Sequence, residues 1–139
     1  MQLNRETFAS QQDIDAILAM RRIAVVGLSG HPARDSYRVA RYMQRKGFEI
    51  TPINPNELEV LGQRAYPSLK DLPVPPEVVD IFRRAEFLPE IIDEAIAVGA
   101  KAIWIQQGIV NFEAARKARE AGLIVVMDRC IMVEHANKL

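Results

Sequence analysis

The sequence predicts an α/β protein built on a parallel, doubly wound sheet, and three observations carry that expectation. Short, largely apolar runs recur: Ile23-Ala24-Val25-Val26, Val78-Val79-Asp80-Ile81-Phe82, Ala102-Ile103-Trp104-Ile105 and Leu123-Ile124-Val125-Val126-Met127. Near-continuous apolar strands belong to parallel sheets that are covered on both faces. A helical segment, a glycine and then a strand follow one another around Gly47, Gly99 and Gly122. Each of these glycines stands where a helix needs a left-handed residue to stop. Strands that alternate with helices are joined by right-handed crossovers.

The elements follow in order. An opening helix over 13–20 places Ile14, Ile17 and Leu18 on one side. The first strand, 23–26, runs into the turn Gly27-Leu28-Ser29-Gly30, where glycine permits a sharp bend and a close approach. A helix over 36–46 carries Val39, Ala40 and Met43 on one face and Arg34, Arg38, Arg41 and Arg45 on or beside another. The second strand spans 48–53. Residues 54–76 hold Pro55, Gly62, Pro67, Pro73, Pro75 and Pro76, and read as an irregular crossover with a short strand near 59–61 and a turn of helix at 68–72. Strand 78–82 leads to a helix over 86–98 with Pro89 in its first turn, where a missing N–H does no harm. Strand 102–105 precedes Asn111, an N-cap for a helix over 112–121, and strand 123–127 is the last. The expected architecture is a Rossmann-like, five-stranded parallel sheet of order 3-2-1-4-5. Its first strand is central and its switch point lies between strands one and four. Ligand loops then come from Gly27 onward and from Gln106-Gln107-Gly108.

Size and composition narrow the function classes. The chain has 139 residues, enough to bury a core as one domain over 1–139, with the segment 1–20 packed on or beside it. Lys and Arg number 18 and so do Asp and Glu, a balance that argues against a protein built around nucleic-acid binding. Cys130 is the one cysteine, so no intramolecular disulfide forms. Two histidines and one cysteine far apart in sequence give no metal-ligand spacing. The polar N-terminus lacks the apolar core of a secretory signal, and no apolar stretch spans a bilayer. The expected setting is cytoplasmic.

Three phosphate ligands can be weighed against the first turn. A Walker A loop needs Gly-Lys-Ser/Thr, and Gly27 to Ser36 contains no such lysine. An NAD site wants Gly-x-Gly-x-x-Gly and an acidic residue at the tip of strand two. Here strand two ends Pro52-Ile53-Asn54-Pro55, and Glu57 and Glu59 lie beyond a proline, poorly placed for ribose hydroxyls. Plain NAD binding is disfavoured. The third option is coenzyme A.

On that option the chain resembles the small stand-alone CoA-binding proteins, which are similar to the N-terminal CoA-binding domain of the succinyl-CoA synthetase α subunit. The matching stretches include Ile23 to Gly30, Ser36-Tyr37-Arg38-Val39, Pro52-Ile53-Asn54-Pro55, Tyr66-Pro67-Ser68-Leu69, Val79-Asp80-Ile81-Phe82-Arg83 and Trp104-Ile105-Gln106-Gln107-Gly108-Ile109. The ending Asp128-Arg129-Cys130-Ile131-Met132-Val133-Glu134-His135, together with Pro-x-Asn-Pro, is the most specific part. The resemblance implies that Gly27, Ser29 and Ser36 line a phosphate cradle, with Gly30 in the same turn. Ile53, Asn54 and Pro55 border the nucleotide end, Phe82 and Arg83 flank the pantetheine arm, and Gln106, Gln107 and Gly108 close the other side. Arg34 and Arg38, near a helix N-terminus that favours anions, complete the candidate set. Arg84-Ala85 departs from the family pattern, which has Pro-Pro after Phe-Arg.

The resemblance implies binding of CoA or an acyl-CoA as a small-molecule ligand, with no catalysis. The synthetase relatives phosphorylate a histidine in another domain, and the chain ending at Leu139 leaves no room for it. The alternatives are a small nucleotide-cofactor enzyme using Cys130 or His31, and a CoA-sensing regulatory subunit with a protein partner. Cys130 reads first as a small buried hydrophobe and Trp104 as core. Gln106 and Gln107 either satisfy loop backbone or touch the ligand. Asp128, Arg129, Glu134 and His135 read as an ionic lock on the tail.

Overall fold

The architecture follows from how each strand is covered. The computed structural model describes residues 8–139, so the part of the opening segment before Phe8 lies outside the described residues. Five strands form one parallel sheet: β1 (Arg22–Val26), β2 (Glu49–Ile53), β5 (Val78–Ile81), β6 (Ala102–Ile105) and β7 (Ile124–Met127). All four residues of β5 and of β6 are buried, which is why their sequences show no polar alternation.

Residues alternate between two cores. On one face Ala24, Val26, Val79, Ile81, Ile103, Ile105 and Val125 meet α3 (Leu88–Ala97) and α4 (Phe112–Glu120). On the other face Ile23, Val25, Val78, Trp104 and Val126 meet α1 (Gln11–Leu18), α2 (Asp35–Arg45) and Ile131 of α5 (Ile131–Lys138). Ser10 caps α1 and Asn111 caps α4, each accepting an N–H of the first turn. The glycines at 47, 99 and 122 all take positive φ where their helices end. Eight-residue α5 was not legible as a helix, because Ile131 is its one fully buried side chain and the apolar period never develops.

The sheet order is β2-β1-β5-β6-β7. Numbered by the five strands expected from the sequence this is 2-1-3-4-5, with 78–82 beside β1, and the 3-2-1-4-5 order holds when Tyr66, which forms an isolated parallel bridge with Ile53, is counted as the third strand beyond β2. Strands β5 and β6 are then four and five, and β7 extends the sheet by one. The neighbour of β1 is therefore β5, not 102–105, so the loop beside Gly27 belongs to Phe82 and Arg83 and Gln106 lies one strand further out. Inside the crossover, the strand expected near 59–61 is β3 (Glu59–Val60). It pairs antiparallel with β4 (Gln63–Arg64) across a turn at Leu61 and Gly62, both with positive φ. A 3₁₀ turn over Leu69–Asp71 stands where a turn of helix was expected.

Candidate functional site

The site begins where the ladder between parallel strands runs past the strand ends. Gly27 N–H donates to Ile53 O at 2.9 Å, Phe82 N–H to Val26 O at 2.9 Å, Gln106 N–H to Ile81 O at 3.3 Å and Asp128 N–H to Ile105 O at 2.8 Å. Four loops are thereby held in a row along the C-terminal edge of the sheet, the edge where open α/β sheets bind ligands.

Gly27 is fixed by this neighbour. Its φ is +86°, and a Cβ placed there would lie 2.6 Å from the carbonyl oxygen of Phe82. Glycine is thus required both for the turn and for the approach of the β5 loop. Ser36, buried in the first turn of α2, accepts the Ser29 N–H on Oγ at 3.1 Å and ties the turn to the helix. Arg34 is the N-cap residue of α2 and supplies no capping side chain, so the first-turn N–H groups lack an acceptor at that position.

Two adjoining hollows open along this edge. One, of about 540 Å³, is lined by Gly27, Ser29, Ala33, Arg34, Asp35, Ser36 and Phe82. The other, of about 670 Å³, shares Asp35 and Phe82 with it and adds Arg38, Arg83, Gln106, Gln107 and Gly108 from the candidate set. Val39, Arg84, Ala85, Ile109, Cys130 and Met132 complete its wall. Volumes of this order suit a small-molecule ligand. Arg38 is ion-paired with Asp35 at the mouth. The Arg83 guanidinium lies over the Phe87 ring at 4.2 Å, and Arg84 Nε reaches Glu86 at 3.2 Å. The Arg84-Ala85 sequence thus leads into a 3₁₀ turn over Ala85–Phe87.

Four candidate residues line neither hollow. Ile53 is buried in the sheet core, its carbonyl taken by Gly27. Asn54 donates from Nδ2 to Leu28 O at 3.1 Å and accepts the Asn56 N–H, so it braces the turn. Pro55 is exposed beside it. Gly30 donates its N–H to Glu57 Oε2 at 2.7 Å. Glu57 is therefore the residue that sequence reasoning set aside: the chain folds back after Pro55 and brings this carboxylate onto the first turn. Gln106 is also partly engaged, since its buried Oε1 accepts the Ile131 N–H at 3.2 Å and so anchors the start of α5.

Two more groups depart from expectation. Cys130 is half-buried and borders the larger hollow instead of filling the core. Asp80, within β5, is buried, and its Oδ1 has no hydrogen-bond partner among the described residues. Burial pushes its carboxyl well above the usual range, because the buried site disfavours the charged form. In the tail, Asp128 Oδ1 accepts the Gly108 N–H at 2.7 Å, and Trp104, fully buried, donates to Arg129 O at 2.9 Å. His135 Nδ1 pairs with the Tyr42 hydroxyl at 2.9 Å, joining α5 to α2. Burial, then Lys46 and Lys138, hold the His135 pKa below its ordinary value. Among the described residues no three His, Cys, Asp or Glu side chains converge as metal ligands, and no helix is long and apolar enough to cross a membrane.

Comparison with known proteins agrees with this geometry. The chain is 46% identical over 128 residues to the uncharacterized protein YneT of Bacillus subtilis (strain 168), covering 91% of this chain and 95% of that one. It superposes on a hypothetical protein from Pyrococcus horikoshii OT3 with a TM-score of 0.90 and 40% identity, over 99% of this chain and 97% of that chain. It is 28% identical over 137 residues to the ADP-forming acetate–CoA ligase II subunit alpha of Pyrococcus furiosus. That match takes in 89% of this chain but 30% of the ligase subunit, so the chain spans less than a third of that relative. A family model described as a CoA binding domain matches residues 21–136, and the chain belongs to that family.

Proposed function

We propose that the chain is a single domain that binds coenzyme A or an acyl-CoA at the C-terminal edge of its sheet and catalyses no reaction of its own, in a cytoplasmic setting. The observation that carries this reading is the pair of adjoining hollows with cationic and apolar walls at one sheet edge. The first turn of α2 offers N–H groups and a positive helix end to a phosphate. Arg34 and Arg38 add charge along the same helix, and Arg83 adds it from the β5 loop. Phe82 supplies apolar surface for a slim pantetheine arm, and Gln107 and Gly108 close the far side. Gly27 keeps the turn and the Phe82 loop close enough to form one cleft. Membership of the CoA binding domain family supports the same ligand.

Titration calorimetry with CoA, dephospho-CoA and NAD tests the proposal. Micromolar or tighter binding of CoA, and weaker binding of NAD, is the expected result. The same affinity is expected for Cys130→Ser, because a binding module does not need the thiol. No heat with CoA would end the reading, and a turnover lost on that substitution would favour an enzyme.

A further inference from the structure

The N–H groups of the first turn are not vacant. Ser29 N–H is held by Ser36 Oγ at 3.1 Å, His31 N–H by Ser29 Oγ at 3.0 Å and Gly30 N–H by Glu57 Oε2 at 2.7 Å. Two of these acceptors are neutral hydroxyls, and the third is a carboxylate. Both Glu57 oxygens would lie within 2.9 Å of a Cβ built on Gly30, so the carboxylate sits flat against the turn. Among the described residues no cation within salt-bridge distance neutralises Glu57. Its loop is held at the other end by Asn54, which accepts the Glu57 N–H on its carbonyl at 3.3 Å, and the next residue, Leu58, is 90% exposed.

We infer that Glu57 is an internal anion that occupies the Gly30 amide of the free protein and opposes any phosphate brought to this turn. The inference rests on the reading of the edge as a phosphate-ligand site and adds a residue that sets affinity there. A ligand phosphate that takes the Gly30 N–H must displace the carboxylate and move the 54–58 loop. One that settles beside it meets a like charge. Either way, Glu57 lowers the affinity for phosphorylated ligands and lowers it most at low salt.

Glu57→Gln tests this directly, since the amide oxygen still accepts the Gly30 N–H while the charge is gone. Calorimetry at low and at high salt is expected to show CoA binding about threefold to tenfold tighter in the variant at low salt, with the gain shrinking as salt rises. Glu57→Ala, which frees the amide altogether, is expected to gain at least as much and serves if the first variant folds poorly. Unchanged or weaker CoA binding in both folded variants would overturn the inference. A parent chain that binds no CoA overturns the coenzyme reading alone. Inorganic pyrophosphate then decides the role of Glu57: the same gain supports it, and its absence refutes it.

Discussion

Replacing Gly27 with alanine is the most direct probe of the contact on which the site depends. Two costs can be worked from the geometry. At φ +86° a Cβ meets the left-handed penalty of about 1–2 kcal/mol. That Cβ would also stand 2.6 Å from the Phe82 carbonyl oxygen and 3.1 Å from Arg83 Cδ. The oxygen belongs to backbone held by the β1–β5 ladder, so strain of about 1–3 kcal/mol is added, as for other overpacked positions. Together these give about 2–5 kcal/mol, a large part of the roughly 5–15 kcal/mol that keeps such a domain folded. Gly99→Ala is the control. Its φ is +82°, yet nothing lies within 4 Å of its Cβ, so it bears the conformational cost alone. Urea unfolding followed by the fluorescence of Trp104, the single tryptophan and fully buried, measures both. Equal destabilisation by the two substitutions would show that the β1 and β5 loops are not in forced contact.

Two further substitutions test charge. Asp80 has a raised pKa in the folded chain, so its contribution to stability is full below the unfolded pKa of about 4 and is lost as pH rises toward the folded value. Asp80→Asn removes that loss: its stability relative to the parent should grow between pH 4 and pH 7, by at most about 1.4 kcal/mol per pH unit, in urea titrations at both values. A difference that stays constant across that span would refute a neutral, buried acid. Arg38→Gln and Arg83→Gln should each weaken CoA binding about threefold to tenfold at low salt and flatten its salt dependence. Arg41→Gln, on the same helix but away from both hollows, should leave it unchanged. Calorimetry at two salt concentrations separates the three.

The legibility of the fold and of the site differed for a physical reason. Strands such as β6 announce themselves because burial on both faces demands unbroken apolar sequence, and the helix-ending glycines at 47, 99 and 122 mark boundaries through their positive φ. The irregular 54–76 crossover has no such constraint, and its consequences were what sequence reasoning missed. A single parallel bridge at Tyr66 lies beside β2, and β5, not β6, pairs with β1, so the Phe82 loop stands between Gly27 and Gln106. Glu57 was misjudged for a related reason. Proline at position 55 reads as an obstacle to a carboxylate returning toward the turn. Yet Asn54 bonds both to Leu28 O and to the Asn56 N–H, and so folds the loop back. Local propensity fixes where a chain bends, whereas long-range hydrogen bonds fix where the bend points. The acidic residue that a dinucleotide fold places at the tip of its second strand is here four residues later, bonded to the turn itself. Any account of what this edge binds must therefore begin with a negative charge already on it.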